Sequence, residues 1–233
     1  MIEFSDRVAH VVQAATTSIL PILFAITLHE AAHALAAARL GDDTALRQGR
    51  VSLNPMRHID IFGTVILPGL LLLFSSPMIF GWAKPVPVDF RRLRNPRYGM
   101  VLVAAAGPAM NIILAIFSAL ALYLTVYMPS FFSVWFRDNL IFSLKINVVL
   151  AVFNLFPIPP LDGGRILVGL LPKQMGRKLA ELEPYGFLIL IGLVFLLPML
   201  FEMLRINFDP LDYLLVIPVE LILDAITNLV GLG

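Results

Sequence analysis

The chain has 233 residues, of which 59% are hydrophobic and 14% charged, and its mean hydropathy is +0.87. Soluble domains carry a smaller apolar share and about 25% charged residues, so the composition excludes an ordinary soluble protein and predicts an integral membrane protein. The net charge of +1 gives no electrostatic reason to expect a nucleic-acid partner. Cysteine is absent, so any bound metal must be held by nitrogen and oxygen atoms.

Apolar segments long enough to cross a bilayer, about 20 residues each, occur along most of the chain. In chain order they are about 8–40, 99–128, 140–158 and 186–204. A further stretch, about 211–232, is interrupted by Pro218, Glu220 and Asp224. The pattern predicts an all-α polytopic membrane protein with about four to five transmembrane helices. With no internal repeat and no soluble linker, residues 1–233 are expected to form a single membrane domain.

Residues 61–80 are uncharged and long enough to cross, but Pro68 and Pro77 also allow a re-entrant hairpin. Basic residues cluster in 39–57, 84–97 and 165–178. The positive-inside rule places all three clusters on the cytoplasmic side. For the first two to share that side, residues 61–80 must dip into the membrane and return.

The segment TLHEAAHALAA, residues 27–37, places three ionisable groups within the first apolar span. His29, Glu30 and His33 form the pattern H-E-x-x-H, which on a helix sets two imidazoles on one face with a glutamate beside them. Ionisable groups inside a bilayer are costly and tolerated mainly at functional sites. The pattern therefore predicts a zinc site, although the same groups could instead hydrogen-bond between helices.

A catalytic zinc usually has three protein ligands and one open position, so the two histidines require a third residue. The candidates are His10, His58, Asp60, Asp89 and Asp162.

Asp162 lies in NLFPIPPLDGGR, residues 154–165, where prolines end the third span and two glycines allow a sharp turn. Two crossings between His33 and Asp162 would return the aspartate to the side of the histidines, which again requires residues 61–80 to be re-entrant. Pairing of Asp162 with Arg165 is the alternative.

Three motifs in this order resemble the site-2 protease family of intramembrane zinc metalloproteases: HEAAH, then GPAMN at 107–111, then NLFPIPPLDGG at 154–164. The resemblance covers about residues 20–172. The intervening RVSLNPMRHIDIFGTVILP and FGWAKPVP are similar to compact prokaryotic members that lack a PDZ domain. Residues 180–233, which include the C-terminal helices at about 186–232, carry no matching motif.

The resemblance implies that His29, His33 and Asp162 bind one Zn²⁺ per chain and that Glu30 is the catalytic base. It makes Asn111 and Asn154 candidates for substrate positioning or for stabilising the oxyanion, with interhelical hydrogen bonding as the alternative.

The family also implies a re-entrant loop or short β segment between the first two spans. Residues 49–60 could accept substrate by edge addition or be an ordinary loop. His58 is interpreted as a polar group of that loop or, more simply, as a surface histidine.

The expected function is cleavage of a transmembrane-helix substrate in the lipid bilayer of a prokaryotic inner membrane, with the active site towards the cytoplasm. Two other functions fit the same residues: a divalent-metal transporter, since ionisable groups also mark ion pathways, and a non-catalytic membrane adaptor that keeps the metal for stability. The sequence indicates no oligomeric state.

Overall fold

The computed structural model describes residues 2–66, 70, 84–206 and 210–233, with the backbone alone for residues 2–15, 64 and 65. The described residues form helices joined by turns and loops, and none of them lies in a β-strand. The all-α prediction is confirmed for this part of the chain.

The first helix, α1 (Ile2–Leu40), carries the H-E-x-x-H pattern in its last third. It ends at Leu40 and is followed by Gly41, whose φ of 114° favours glycine. The N–H of Asp42 donates to Ala37 O at 2.9 Å, which closes the last turn. The short helix α2 (Thr44–Arg47) follows at once.

Two long helices pack against α1 and complete the centre of the molecule. Helix α3 (Pro96–Ala121) begins with a proline at its first position and is capped by Asn95, whose side chain accepts from the Tyr98 N–H. Helix α4 (Ser130–Asn154) follows after a short 3₁₀ segment, Leu122–Tyr127.

Small side chains let these three helices approach closely. Ala25 on α1, Ala115 and Ala119 on α3, and Ala151 on α4 are fully buried. Small residues at helix contacts are typical of membrane proteins, where van der Waals packing replaces the hydrophobic effect. The close approach also brings buried polar side chains of different helices within hydrogen-bond distance.

Helix α5 (Asp162–Leu170) returns the chain to the middle of the molecule. A Cβ on Gly163 would lie 2.1 Å from Leu155 O, so only glycine allows the start of α5 to pack on the end of α4. This close contact fixes where the first turn of α5, and Asp162 within it, can lie.

The C-terminal region, residues 173–206 and 210–233, is helical throughout most of its length. Its helices are α6 (Lys173–Ala180), α7 (Gly186–Ile191), α8 (Leu197–Met203) and α9 (Ile217–Leu229), with π-helical turns at Gly192–Leu196 and Asp212–Val216. Ile226 of α9 is buried with Ala115 and Ala119 of α3 and with Leu144 and Val148 of α4, so the last helix packs on α3 and α4.

By length and composition, three helical stretches of the described chain could cross a membrane: Thr16–Leu40, Pro96–Tyr127 and Lys173–Met203. They match three of the predicted spans. The predicted span at 140–158 falls on α4, which begins ten residues earlier, includes Arg137, Asp138 and Lys145, and ends at Asn154. The total of four to five spans stays a prediction.

The segment between the first two spans is described only in part. Residues 49–60 contain a 3₁₀ turn, Pro55–Arg57, capped by Asn54, so this stretch is a loop rather than a β segment. Ile61–Ile66 is a π-helical turn. The rest of the predicted re-entrant segment, residues 67–69 and 71–80, lies outside the described residues, so its course stays a prediction.

Candidate metal centre

Helix α1 places the two histidines of the H-E-x-x-H pattern one turn apart on one face. Their Nε2 atoms are 3.0 Å apart, and the rings are edge to face with centroids 4.6 Å apart. Both rings are buried. The spacing that the sequence indicates therefore brings both Nε2 atoms to one point.

Asp162 reaches the same point from the first turn of α5. Its Oδ2 atom lies 3.2 Å from His29 Nε2 and 3.3 Å from His33 Nε2. Donors bound to one zinc at about 2.0–2.1 Å in a tetrahedron are about 3.3–3.4 Å apart. The triangle of donor atoms therefore has close to the dimensions that a single zinc ion requires.

The hydrogen bonds around the imidazoles fix where their protons are. His29 Nδ1 donates to Asn111 Oδ1 at 2.5 Å, and His33 Nδ1 donates to Val103 O at 2.7 Å. A carbonyl oxygen can only accept, so each neutral ring presents an unprotonated Nε2. Asp162 Oδ2 is buried without a hydrogen-bond partner. Three lone pairs that face one another repel unless a cation lies between them, so the donor set fits a divalent metal ion.

Gly107 of α3 makes room for the two rings. A Cβ at this position would lie 2.4 Å from His33 Nε2 and 2.6 Å from His29 Nε2. No side chain larger than hydrogen fits there without displacing the donor atoms. The glycine of GPAMN thus has a steric role at the site that the sequence analysis did not assign.

Asn111, one turn after Gly107, holds His29 and is part of a buried polar chain. Its Nδ2 donates to Asn147 Oδ1 at 2.8 Å and lies 3.4 Å from Ala25 O, which fixes the orientation of the amide. Asn147 Nδ2 in turn donates to Ser143 O at 2.9 Å. Asn111 therefore links α1, α3 and α4 at the back of the imidazole.

Asn154, the other predicted asparagine, donates to Leu150 O of its own helix at 3.0 Å. The roles predicted for Asn111 and Asn154 in substrate positioning or oxyanion stabilisation stay predictions. The contact with His29 gives Asn111 a second role, the orientation of a donor.

Glu30 lies beside His29 on α1 and is half-buried. Its Oε2 atom accepts a hydrogen bond from the backbone N–H of Val86 at 2.8 Å. The predicted role of Glu30 as catalytic base stays a prediction.

The other candidate ligands are engaged elsewhere. Asp60 Oδ1 accepts from Gly63 N–H, and Asp89 Oδ1 accepts from Arg91 N–H. His58 is 2% exposed and donates to Ser52 O, so its interpretation as a surface histidine is wrong: the loop folds over it. The side chain of His10 lies outside the described residues. Within the described chain, His29, His33 and Asp162 are the residues that group as metal donors.

The alternative partner proposed for Asp162, Arg165, points elsewhere. Its guanidinium is 3.2 Å from Glu183 Oε1 and 5.7 Å from the centre of the Phe90 ring. Asp162 is thus left to face the histidines.

Comparison with known proteins identifies the family. The model of Peptidase family M50 matches residues 131–199. The chain is 39% identical over 187 residues to "Putative zinc metalloprotease YwhC" of Bacillus subtilis (strain 168), which covers 75% of this chain and 78% of that protein. The chain belongs to peptidase family M50. This M50 chain is also 31% identical over 172 residues to "Putative zinc metalloprotease Rip2" of Mycolicibacterium smegmatis, with 74% of the chain and 64% of that relative covered. No solved structure matches it.

Membership of family M50 confirms the resemblance to the site-2 protease family. It also supports the predicted protease, zinc-dependent and membrane character of the chain, since both relatives carry the name "Putative zinc metalloprotease". In the part of the chain that the structure describes, three helices are apolar enough to span a bilayer. The roles of individual residues in this M50 chain rest on the geometry described above.

Three groups at the site were missed from the sequence. Gly107 stands in a motif that was noted for its asparagine, so a signal existed. Asn147 is a polar residue in an apolar span and could have been found for the same reason as Asn111. The Val86 N–H has no signal of its own, because every residue other than proline carries one.

Proposed function

We propose that the protein is an intramembrane zinc endopeptidase that hydrolyses peptide bonds within or near transmembrane segments of membrane proteins. The observation that carries the proposal is the buried triangle of His29 Nε2, His33 Nε2 and Asp162 Oδ2, with sides of 3.0, 3.2 and 3.3 Å, beside the Glu30 carboxylate. Family membership supports the same reaction class.

His29, His33 and Asp162 would hold one zinc ion per chain. When bound, zinc supplies a Lewis acid that polarises the scissile carbonyl and lowers the pKa of a coordinated water. Glu30 takes the proton of the attacking water and returns it to the leaving amine. Asn111 and Val103 accept from Nδ1 of the two imidazoles and so keep Nε2 of each ring unprotonated. Neither ring then has to move a proton before its Nε2 can bind zinc.

The depth of the site supports a substrate within the membrane. His33 lies seven residues before the end of the candidate span Thr16–Leu40, about 10 Å along a helix. A substrate helix satisfies its own backbone hydrogen bonds, so its scissile bond must be locally unwound before it reaches Glu30.

Contacts between the three basic clusters support a cytoplasmic orientation of the site. Arg92 of the second cluster lies 3.4 Å from Asp43 beside the first, and Arg97 donates to Gly169 O beside the third at 2.6 Å. The clusters thus meet at one end of the helices, and the positive-inside rule makes that end cytoplasmic. The prokaryotic relatives support placing the protein in a prokaryotic inner membrane.

A divalent-metal transporter requires a succession of ligands across the membrane. Within the described chain the candidate metal donors group at one depth, which favours hydrolysis over transport.

The test is cleavage of a model single-span substrate by purified protein in liposomes. Glu30→Gln, checked to retain zinc, should lose about 100-fold or more of the rate, the contribution typical of a general base. Glu202→Gln, an exposed residue of α8, is the matched control and should cleave as wild type does. Equal rates for Glu30→Gln and wild type would overturn the proposed function.

A further inference from the structure

An extended segment, Lys84 to Asp89 with the sequence KPVPVD, lies over Glu30 and is called the strap. It has no regular secondary structure. Pro85 and Pro87 have φ fixed near −65° and lack an N–H, and each restricts the residue before it to extended conformations. Val86 therefore presents one backbone donor between two residues that have none.

That donor is held on the catalytic carboxylate. The Val86 N–H donates to Glu30 Oε2 at 2.8 Å, across 56 residues of sequence. A hydrogen bond to a carboxylate is charge-assisted and about twice as strong as one between neutral groups. It restricts Glu30 to side-chain rotamers in which Oε2 faces the strap.

The first half of the strap is anchored by buried groups that take no part in the chemistry. Arg50, which is 7% exposed, donates to Lys84 O at 2.5 Å and to Pro85 O at 3.3 Å. The Lys84 N–H donates to His58 O at 2.9 Å. Burying a charged side chain is costly unless it is hydrogen-bonded, and the hydrogen bonds of Arg50 fall on the two strap residues immediately before Val86.

The second half is anchored to the end of α1. Asp42, which is fully buried, accepts from the Asp89 N–H at 2.7 Å through Oδ2. Val88 packs against the cluster formed by Ala37, Leu93 and Val103. The strap is thus fixed on both sides of the residue that contacts Glu30.

We infer that the backbone N–H of Val86 is a positioning group for the catalytic base: it holds Glu30 Oε2, so that Oε1 is the oxygen that takes the proton of the attacking water. The side chains of Arg50 and Asp42 and the backbone carbonyl of His58 act through the strap by fixing its position. This inference rests on the proposed function, because it assigns a partner to the same general base.

The decisive variant is Val86→Pro, which removes the N–H while proline suits the extended backbone of the strap. Val86→Ala is the matched control, because it removes the same side chain and keeps the N–H. We expect Val86→Pro to lose at least about tenfold in kcat with KM within twofold, since a misplaced base impairs proton transfer rather than binding. Val86→Ala should remain within about threefold of wild type, as expected where no positioning interaction is lost.

Zinc content and melting temperature are measured on the same samples. If Val86→Pro retains both and cleaves as fast as Val86→Ala, or faster, the inference is overturned. If Val86→Pro fails to hold zinc, the test is repeated with protein from cell-free synthesis that carries α-hydroxyvaline at position 86. This residue replaces the N–H by an oxygen and keeps the side chain. The same tenfold loss in kcat is expected, and its absence would overturn the inference. An inactive wild type would instead refute the proposed function.

A second readout does not depend on activity. The strap contains backbone N–H groups at Lys84, Val86, Val88 and Asp89 only, so its hydrogen exchange is easily assigned. Glu30→Ala should speed exchange at Val86 by about tenfold or more, the factor that follows from losing about 1.4 kcal/mol of hydrogen-bond energy. The Asp89 N–H, bonded to Asp42, should stay protected. Unchanged exchange at Val86 would show that the contact with Glu30 is absent in solution, and would overturn the inference.

Discussion

The site-bearing region, formed by α1, α3, α4 and α5, buries more of its residues than the C-terminal region does. In the site-bearing region alanine and glycine are buried together with His29, His33, Asn111 and Asn147. In the C-terminal region large apolar side chains such as Leu188, Phe195 and Met199 are exposed. In a membrane protein such faces suit lipid contact, whereas small residues at helix contacts let polar side chains reach one another. Substitutions of the same type should therefore have large effects in the first region and small effects in the second.

The largest difference is expected between two aspartates. Asp162→Ala removes a metal ligand and should abolish cleavage. Loss of a residue that only hydrogen-bonds a ligand typically weakens metal affinity about 10–100-fold, so loss of the ligand itself should weaken zinc affinity by more than about 100-fold. Asp212→Ala, an exposed residue of the C-terminal region, should leave both unchanged. Metal analysis after dialysis against graded chelator concentrations measures the effect. Undiminished zinc in Asp162→Ala would refute Asp162 as the third ligand.

The next difference is expected between two glycines. Gly107→Ala would place a Cβ 2.4 Å from His33 Nε2, whereas a Cβ on Gly192 would have no neighbour within 4 Å. We expect Gly107→Ala to lose most zinc binding and activity. Gly192→Ala should leave both intact and stabilise its helix by about 0.5–1 kcal/mol. Zinc titration and thermal unfolding check both, and normal zinc affinity in Gly107→Ala would contradict the steric role.

A smaller effect is expected at the asparagine behind His29. Asn111→Ala removes the acceptor of His29 Nδ1 and should weaken zinc affinity about 10–100-fold, as outer partners of metal ligands do. Its control is Asn228→Ala, an exposed residue of α9, which should bind zinc normally. The absorption spectrum of the cobalt-substituted protein reports the geometry of the donors, and a spectrum and affinity equal to wild type would contradict an orienting role for Asn111.

The smallest effect concerns pH and the strap anchor Asp42. Burial raises the pKa of this carboxyl, but hydrogen bonds from Thr44 and the Asp89 N–H bring it below the ordinary value of 3.8, with Arg92 contributing. A lowered pKa stabilises the fold above the ordinary value, and this stabilisation is lost as pH falls through the folded value. The melting temperature of wild type should thus exceed that of Asp42→Asn at pH 6, and the difference should shrink below pH of about 4.

Asp212→Asn in the C-terminal region is the control for that measurement, and its melting temperature should follow wild type throughout. A difference between Asp42→Asn and wild type that is independent of pH would mean that the charge of Asp42 adds nothing to the anchor.

The parts of the site that were predictable from sequence are those fixed by local geometry. Helical spacing alone places His29 and His33 on one face, and the prolines and glycines around Asp162 indicate a turn at a helix start. Local geometry does not pair Asp162 with the histidines; that pairing rests on a count of membrane crossings and on the family resemblance. The structure brings the three donors together, and that count remains consistent with a re-entrant course for residues 61–80.

Other features depend on tertiary contacts that periodicity does not contain. Helix α4 begins at Ser130 rather than near residue 140. The predicted span starts after Arg137 and Asp138 because charged residues lower the local hydropathy, whereas the helix itself includes both. His58 is buried by a fold of the loop from residue 49 to 60, which a short polar sequence does not reveal. The anchors of the strap are distant in sequence and become neighbours only in the folded chain.

The strap has a consequence for how this M50 chain can change over evolutionary time. A backbone N–H does not depend on the side chain, so nineteen of the twenty amino acids supply it at position 86. Any substitution at position 86 other than proline therefore keeps the N–H that donates to Glu30. Such a contact is then recognised in other sequences by the flanking prolines, Pro85 and Pro87, and by the residues that anchor the strap, Arg50 and Asp42.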